Sequence, residues 1–326
     1  MAFEIFSNEL TVAIIKAVIF PGVLFQLVSV LMMMWFERKV MARIHMRYGP
    51  YYVGKFGLLQ TLADLLKLLL KEIIVPLKSR KLLFIAVPVL LLASAFTPVA
   101  VIPFSETWYI FRFPYSAILV IAILSMVPTL EFLAGWAGGS KYSFIGGYRA
   151  ATQQVSYEVS LFLSILPSVI LAGSMDLIDI TKAQNQYWFI LLAPLAAFTY
   201  FVASLAELER IPFDIPEAES ELVFGWKTDY SGILFGFQVF ASYIFTFVEA
   251  ALFTVLFLGG WIGPFLPPII WFLIKTYLVF FVMVVVRAGL PRFRLDQLLN
   301  FGWKILFPLA ILNIFLAVLV GDLILI

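Results

Sequence analysis

The chain has 326 residues, of which 63% are apolar and 13% charged, and its mean hydropathy is +1.03. An average soluble domain is about 45–50% apolar and about 25% charged, so a single water-soluble globule is excluded. Lys and Arg number 22 against 20 Asp and Glu, too even a balance for binding nucleic acid through its phosphates; with no Cys and one His, no redox metal and no disulfide are expected on this chain.

A membrane span needs about 20 mostly apolar residues. In chain order the candidates are 11–35, 82–104, 113–136, 155–173, 187–206, 236–258, 266–286 and 305–325. All eight are predicted to be helices, since in lipid only helices or closed barrels satisfy the backbone, and barrel-type alternation is not visible. The fold class is therefore an all-α polytopic membrane protein of about eight spans. The first span lacks a basic leader and a small-residue cleavage site, which argues against a removed signal peptide. No internal repeat or flexible linker divides the chain, so 1–326 reads as one membrane domain.

The connections are unequal. Connection 36–81 carries ten basic residues, and with 137–154, 207–235 and 287–304 the total on that side is eighteen; the other side has Arg112 and Lys182. By the positive-inside rule the long connections face the cytoplasm and both termini face outward. Within 36–81, segment 56–72 spaces Leu58, Leu62, Leu65, Leu66 and Leu69 helically, with Asp64, Lys67, Lys71 and Glu72 at polar positions. It is too short and too charged to span. It is predicted to lie on the membrane surface or against a partner, or to act as a plain juxtamembrane anchor.

Charges inside spans are costly and usually face a cavity or a partner. Glu131, Glu158 and Glu249 fall inside spans, as does Lys275. Glu131 and Glu158 lie near the cytoplasmic ends of theirs, where snorkelling is an alternative, and Glu249 could pair with Lys275. Pro128, three residues before Glu131, suits a hydrated kink. The densest feature runs from Ala206 to Leu222. It holds Glu207, Glu209, Asp214, Glu217, Glu219 and Glu221 against the single base Arg210, and Pro212 and Pro216 break it. A solvated acidic loop is one reading. Phe213, Ile215, Leu222 and Val223, interleaved with the acids, favour a partly buried set of coupled carboxylates that load and release protons. With Glu131, Glu158 and Glu249, they could form a proton or ion route into the membrane. His45 reads as structural or interfacial, because one histidine makes no metal site by itself.

These residues also carry a resemblance. The run from Trp35 to Pro50, Val53-Gly54, Gly57 to Gln60, Ala63-Asp64, Lys141 to Ser143, Arg149-Ala150, Gln153, Ser156 to Glu158, and Arg210 to Val223 resembles the H-type membrane subunit of complex I (NADH:quinone oxidoreductase). Tyr230 to Gly232, Gly259 to Trp261, Lys275, Arg287, Pro291 to Gln297 and Gly302 to Lys304 continue the match along nearly the whole chain. The resemblance implies a subunit of the prokaryotic cytoplasmic membrane that closes the membrane side of a quinone chamber. It implies a proton or ion pathway through Glu131, Glu158, Glu207, Asp214, Glu217, Glu219, Glu221 and Glu249. The chamber and its entrance map onto Glu37, Arg38, Arg43, Asp64, Arg210 and Phe213. The implied partners are hydrophilic quinone-site subunits, one carrying the terminal iron–sulfur cluster, and antiporter-like and small membrane subunits; the chain itself holds no cofactor. The sequence departs from the family pattern at His45, at Tyr51 and Tyr52, and at Glu209. The readings still open beside this one are the anchor of an ion-pumping hydrogenase or ferredoxin-driven complex without a quinone step, and a stand-alone secondary transporter.

Overall fold

A computed structural model describes residues 12–216 and 219–325, and all regular structure among them is helical. Position 11 of the first expected span lies outside the described residues. A helical stretch over 12–18 turns at Pro21 into α1 (Val23–Ile44). The surface segment forms a 3₁₀ turn (Lys55–Gly57) and α2 (Gln60–Leu70). Then come α3 (Lys81–Val99), α4 (Ser116–Leu124), α5 (Val127–Gly138) and α6 (Lys141–Ala172). Three shorter helices follow: α7 (Leu177–Ala183), α8 (Phe189–Leu192) and α9 (Pro194–Glu207). The one-turn α10 (Glu219–Leu222) precedes α11 (Gly232–Phe257), α12 (Pro268–Gly289), α13 (Leu295–Phe301) and α14 (Phe307–Leu325), the last two joined by a π turn. Among the described residues, seven helical stretches are long and apolar enough to cross a bilayer.

Three expected spans are built differently from their hydropathy. Segment 187–206 is not one helix: the backbone leaves the helical region at Ala193 (φ −133°, ψ 59°), and Pro194, which has no N–H to give the preceding turn, starts α9. α9 has 14 residues, a rise of about 21 Å, which is shorter than the apolar core of a bilayer. Segment 113–136 is interrupted at Ser125 and Met126, just ahead of Val127-Pro128, where the backbone stays right-handed but the helical hydrogen bonding lapses, so α4 and α5 follow one another as two helices in a single apolar stretch. Segment 155–173 is the second half of a 32-residue helix that begins where the Ser140 side chain accepts from the Ser143 amide at 3.1 Å. Glu158 therefore sits near the middle of α6 rather than at its end.

α6 is the central post, with α5, α9 and α14 packed around it, while α11 packs against α3, α12 and α2. Close approach needs glycine at one place above all. A Cβ on Gly146 would lie 2.5 Å from the Trp226 backbone nitrogen, so the turn Gly225–Lys227 rests directly on the α6 backbone.

The connections gather at two ends. At one end Arg112 pairs with Asp176 at 2.8 Å and Lys182 with Glu106 at 2.6 Å. The Lys182 ammonium beside Glu106 holds that carboxyl below the usual carboxylate range. Lys275, at the same end, donates to the carbonyls of Leu258 (2.6 Å) and Ile262 (2.7 Å) and lies over the Trp188 ring. It thus caps the C-terminal end of α11, where a cation is favoured, and the alternative pairing with Glu249 does not form. At the other end the Arg80 amide donates to Ala137, Arg149 pairs with Glu221, and the Phe293 amide donates to Pro212. Helices run alternately between these two ends; seven stretches among the described residues are long and apolar enough to cross a bilayer, against the eight expected, and the 14-residue α9 runs between the same ends without reaching that length.

One side chain straps the acidic segment to the post. Gln153 on α6 donates from Nε2 to the carbonyls of Ala206 (2.9 Å) and Phe213 (2.7 Å), and it is fully buried. Gln153→Ala removes both of these bonds and leaves the two carbonyls only their backbone donors, the amides of Glu209 (3.3 Å) and Ile215 (3.0 Å). The expected loss is about 1–3 kcal/mol of stability, read as a lower unfolding midpoint in detergent; an unchanged midpoint would mean that the strap contributes nothing.

Candidate functional site

The site is built where α9 ends. Glu209 adopts a left-handed conformation (φ +51°), which turns the chain out of the helix. Phe213 is buried, its ring 5.4 Å from that of Tyr157 and 5.7 Å from that of Phe293, and Ile215 and Leu222 are buried too, so these three face the protein, whereas Val223 is exposed. Asp214 is buried and pairs with Arg292 at 2.8 Å. Glu221 is at the surface and pairs with Arg149 at 2.6 Å. Glu217 lies outside the described residues, and the side chain of Glu219 is not described.

Arg210 points inward. It pairs with Glu37 of α1 at 3.3 Å, donates to Thr246 Oγ1 at 3.2 Å and lies 4.8 Å over the Tyr243 ring. Arg287 of α12 bonds the same Glu37 oxygen, and Glu37 is 2% exposed. One buried carboxylate thus joins α1, α11, α12 and the acidic segment.

Beside this cluster is a cavity of about 170 Å³. Glu131, Glu207, Glu209, Arg210, Asp214 and Lys227 line it, along with Tyr243 and Arg287. Gln154 of α6 donates to Glu131 at 2.7 Å and to the Glu207 carbonyl at 3.3 Å. Glu207 is 6% exposed, and neither of its carboxyl oxygens has a hydrogen-bond partner among the described residues. The carboxylates of Glu249, Glu158 and Glu209 all act on it electrostatically. Behind it Glu249 is fully buried and accepts from the Tyr200 hydroxyl at 2.6 Å, and Glu158, half-buried on α6, bonds Ser125 at the break between α4 and α5.

A second cavity of about 580 Å³ opens between α1, α2 and α11. Arg38 and Asp64, paired at 2.5 Å, stand in its wall with Lys67 and Lys71, opposite Met34, Leu68 and Phe235. Its floor includes Tyr230, whose hydroxyl donates to the Ala134 carbonyl at 3.2 Å. Burial, and then the neighbouring Asp229, push that phenol up, so it remains a donor. Phe224, Lys227, Val239 and Tyr243 line both cavities. On α2, Asp64 and Leu68 face this cavity, while Leu62, Leu66 and Leu69 are exposed.

The structure thus brings Glu131, Glu207, Arg210 and Asp214 into one cavity, Arg38 and Asp64 into the next, and Glu37 against Arg210. It does not bring in Arg43, exposed at the end of α1, nor Phe213, which packs behind the loop, nor Glu221. Sequence reasoning missed the roles of Lys227, Tyr243, Gln154 and Tyr200. Lys227 is one basic residue among many, and polar residues spaced along apolar helices carry no periodic signal. Among the described residues no group of three or more His, Cys, Asp or Glu is placed to hold a metal ion.

An apolar helical bundle with an acid-lined cavity joined to a larger, basic-walled one defines a polytopic membrane subunit rather than a soluble catalyst. The profile of the family described as NADH dehydrogenase matches residues 16–318. The H-type subunit of the NADH-quinone oxidoreductase of Geobacillus sp. (strain WCH70) is 45% identical over 292 residues, covering 88% of each chain. An H-type subunit of the same enzyme in Syntrophobacter fumaroxidans is 46% identical over 296 residues, covering 86% of this chain and 88% of the relative. That of Bacillus cereus (strain B4264) is 45% identical over 293 residues, covering 88% of each chain. The chain belongs to this family, as a complex I membrane subunit of the H type.

The Glu37 cluster sets a test of the architecture. Glu37→Ala leaves Arg210 and Arg287 facing each other without their shared anion. Removing one partner of a buried ion pair costs about 3–5 kcal/mol. The expected outcome is a chain that unfolds at lower temperature, with Glu37→Gln intermediate, measured by thermal unfolding in detergent.

Proposed function

We propose that this chain forms the membrane side of a quinone chamber and couples quinone reduction to proton or ion translocation. The observation that carries the reading is the pair of cavities sharing one wall. The larger, between α1, α2 and α11, has an apolar side for a prenylated ring and a polar side at Arg38 and Asp64 for its oxygens. Arg43 and the exposed Tyr51 and Tyr52 lie on the surface that would meet the hydrophilic quinone-site subunits, one of which carries the iron–sulfur cluster that donates electrons. The long basic connections face the cytoplasm, and both termini face outward.

The mechanism is electrostatic. Reduction places negative charge on the quinone, which then takes up two protons. That change is felt across the shared wall, where Lys227 and Tyr243 touch both spaces. The carboxylates of Glu131, Glu207 and Asp214, which line one cavity, change protonation together, because buried like charges in one space cannot ionise independently, and Glu217, Glu219 and Glu221 extend the route along the same segment. Glu158 and Glu249 pass the change sideways to the antiporter-like and small membrane subunits. Arg210, held by Glu37, keeps the acidic segment in place, and Phe213 anchors it from behind. The names of the relatives support the quinone reading over a quinone-free hydrogenase anchor.

The test uses the intact complex in mild detergent and in liposomes, with a short-chain ubiquinone or menaquinone analogue as acceptor. The expected result is inhibitor-sensitive quinone reduction. Glu207→Gln and Glu131→Gln should each abolish pumping or slow turnover at least about tenfold, a barrier change of about 1.4 kcal/mol, with iron–sulfur content intact. Proton reduction without quinone reduction would move the chain to the hydrogenase reading, and normal pumping in both variants would remove the acids from the route.

A further inference from the structure

Glu209 is outside the acids that the family resemblance assigns to the pathway, although it belongs to the same acidic segment, and its placement gives it a part of its own. It sits in the left-handed turn that ends α9 and is 7% exposed. Its carboxylate lines the 170 Å³ cavity, and its Oε2 accepts from the indole N–H of Trp226 at 3.3 Å. Trp226 is itself 1% exposed and fixed in place, since its backbone rests on Gly146 of α6. A built donor therefore points at a carboxylate that faces an internal space. Glu207, two residues back along the chain, lines the same space, nine-tenths buried, with neither oxygen bonded among the described residues.

The surroundings are balanced. Facing the cavity from α5, α9 and the acidic segment are the acids Glu131, Glu207 and Asp214. From the segment itself, the turn after Phe224, α11 and α12 come Arg210, Lys227, Tyr243 and Arg287. In such a set, adding a proton to one carboxylate makes ionisation of its neighbour easier.

We propose that Glu209 is a proton-binding residue of this cavity, exchanging one proton with Glu207 while Trp226 stabilises its charged form. In the exchange the Glu207 carboxyl gives its proton to the Glu209 carboxylate, directly or through the cavity, and the charges of the two groups are swapped. The left-handed backbone fixes where the carboxylate points, so the acceptor position is set before any proton arrives. The role of the exchange in turnover rests on the coupling reading, but proton binding by Glu209 does not.

The experiment is pH-difference infrared spectroscopy on the intact complex, with the quinone reductase pH profile measured in parallel. Glu209→Gln keeps an oxygen that accepts from Trp226, so the turn is retained. The expected result is loss of one titrating carboxyl band in Glu209→Gln and its retention in Glu106→Gln on the opposite end. Trp226→Phe removes the donor that favours the carboxylate, and should move the same band to higher pH. Glu209→Gln is also expected to change the pH profile of turnover. An infrared titration identical to that of the unaltered complex would overturn the proposal. A lost band in Glu209→Gln with no displacement in Trp226→Phe and an unchanged pH profile would overturn the exchange and the part given to Trp226, since a carboxylate that titrates without serving turnover behaves that way. If the unaltered complex reduces no quinone, the coupling reading fails, and the band still decides whether Glu209 binds a proton.

Discussion

The fold depends on one buried anion. Glu37 lies inside an apolar bundle and is met by guanidiniums from two directions, Arg210 from the acidic segment and Arg287 from α12. Neither arginine could be buried there alone, because an uncompensated charge in low dielectric is far costlier than a paired one. The pairing fixes how the acidic segment enters the protein. Arg210 goes in, so the acids on either side of it are carried to the wall of the cavity instead of into solvent. Gln153 and the Asp214–Arg292 pair then hold what Glu37 has drawn in.

The class of fold is legible in the sequence because it rests on length and apolarity, and lipid admits few structures. The break at Pro194 is hidden, although proline marks such breaks, because the hydropathy on both sides is continuous. The 32-residue α6 is underestimated for the opposite reason. Its first half, Lys141 to Gln154, carries Lys141 and, on the face that meets the segments after α9, Arg149, Gln153 and Gln154, and these lower the hydropathy of a helix that continues without interruption. Hydropathy reports which residues lipid tolerates, whereas a helix end is decided by caps, glycine and proline.

The site is partly legible for a related reason. Acids in apolar surroundings stand out, and Glu131, Glu207, Asp214 and Glu249 do so. Their partners do not. Gln154 and Tyr200 are ordinary residues on helices, and only three-dimensional packing brings them to Glu131 and Glu249. Arg43 shows the converse. A charged residue one or two turns from others that matter, here Glu37 and Arg38, is placed by the helical repeat on a different face.

The ion pairs at the far end have a meaning of their own. Arg112 and Lys182, the only bases on that end's connections, are matched by Asp176, Asp179 and Glu106, so neither is left without an acid. The opposite face carries exposed bases such as Arg43, Arg47 and Lys55, which form no ion pair among the described residues. These bases are gathered at one end of the bundle, and carrying any one of them through an apolar bilayer would cost about 2.5–3.5 kcal/mol on insertion scales, so that end is tied to the side of the membrane on which it is made.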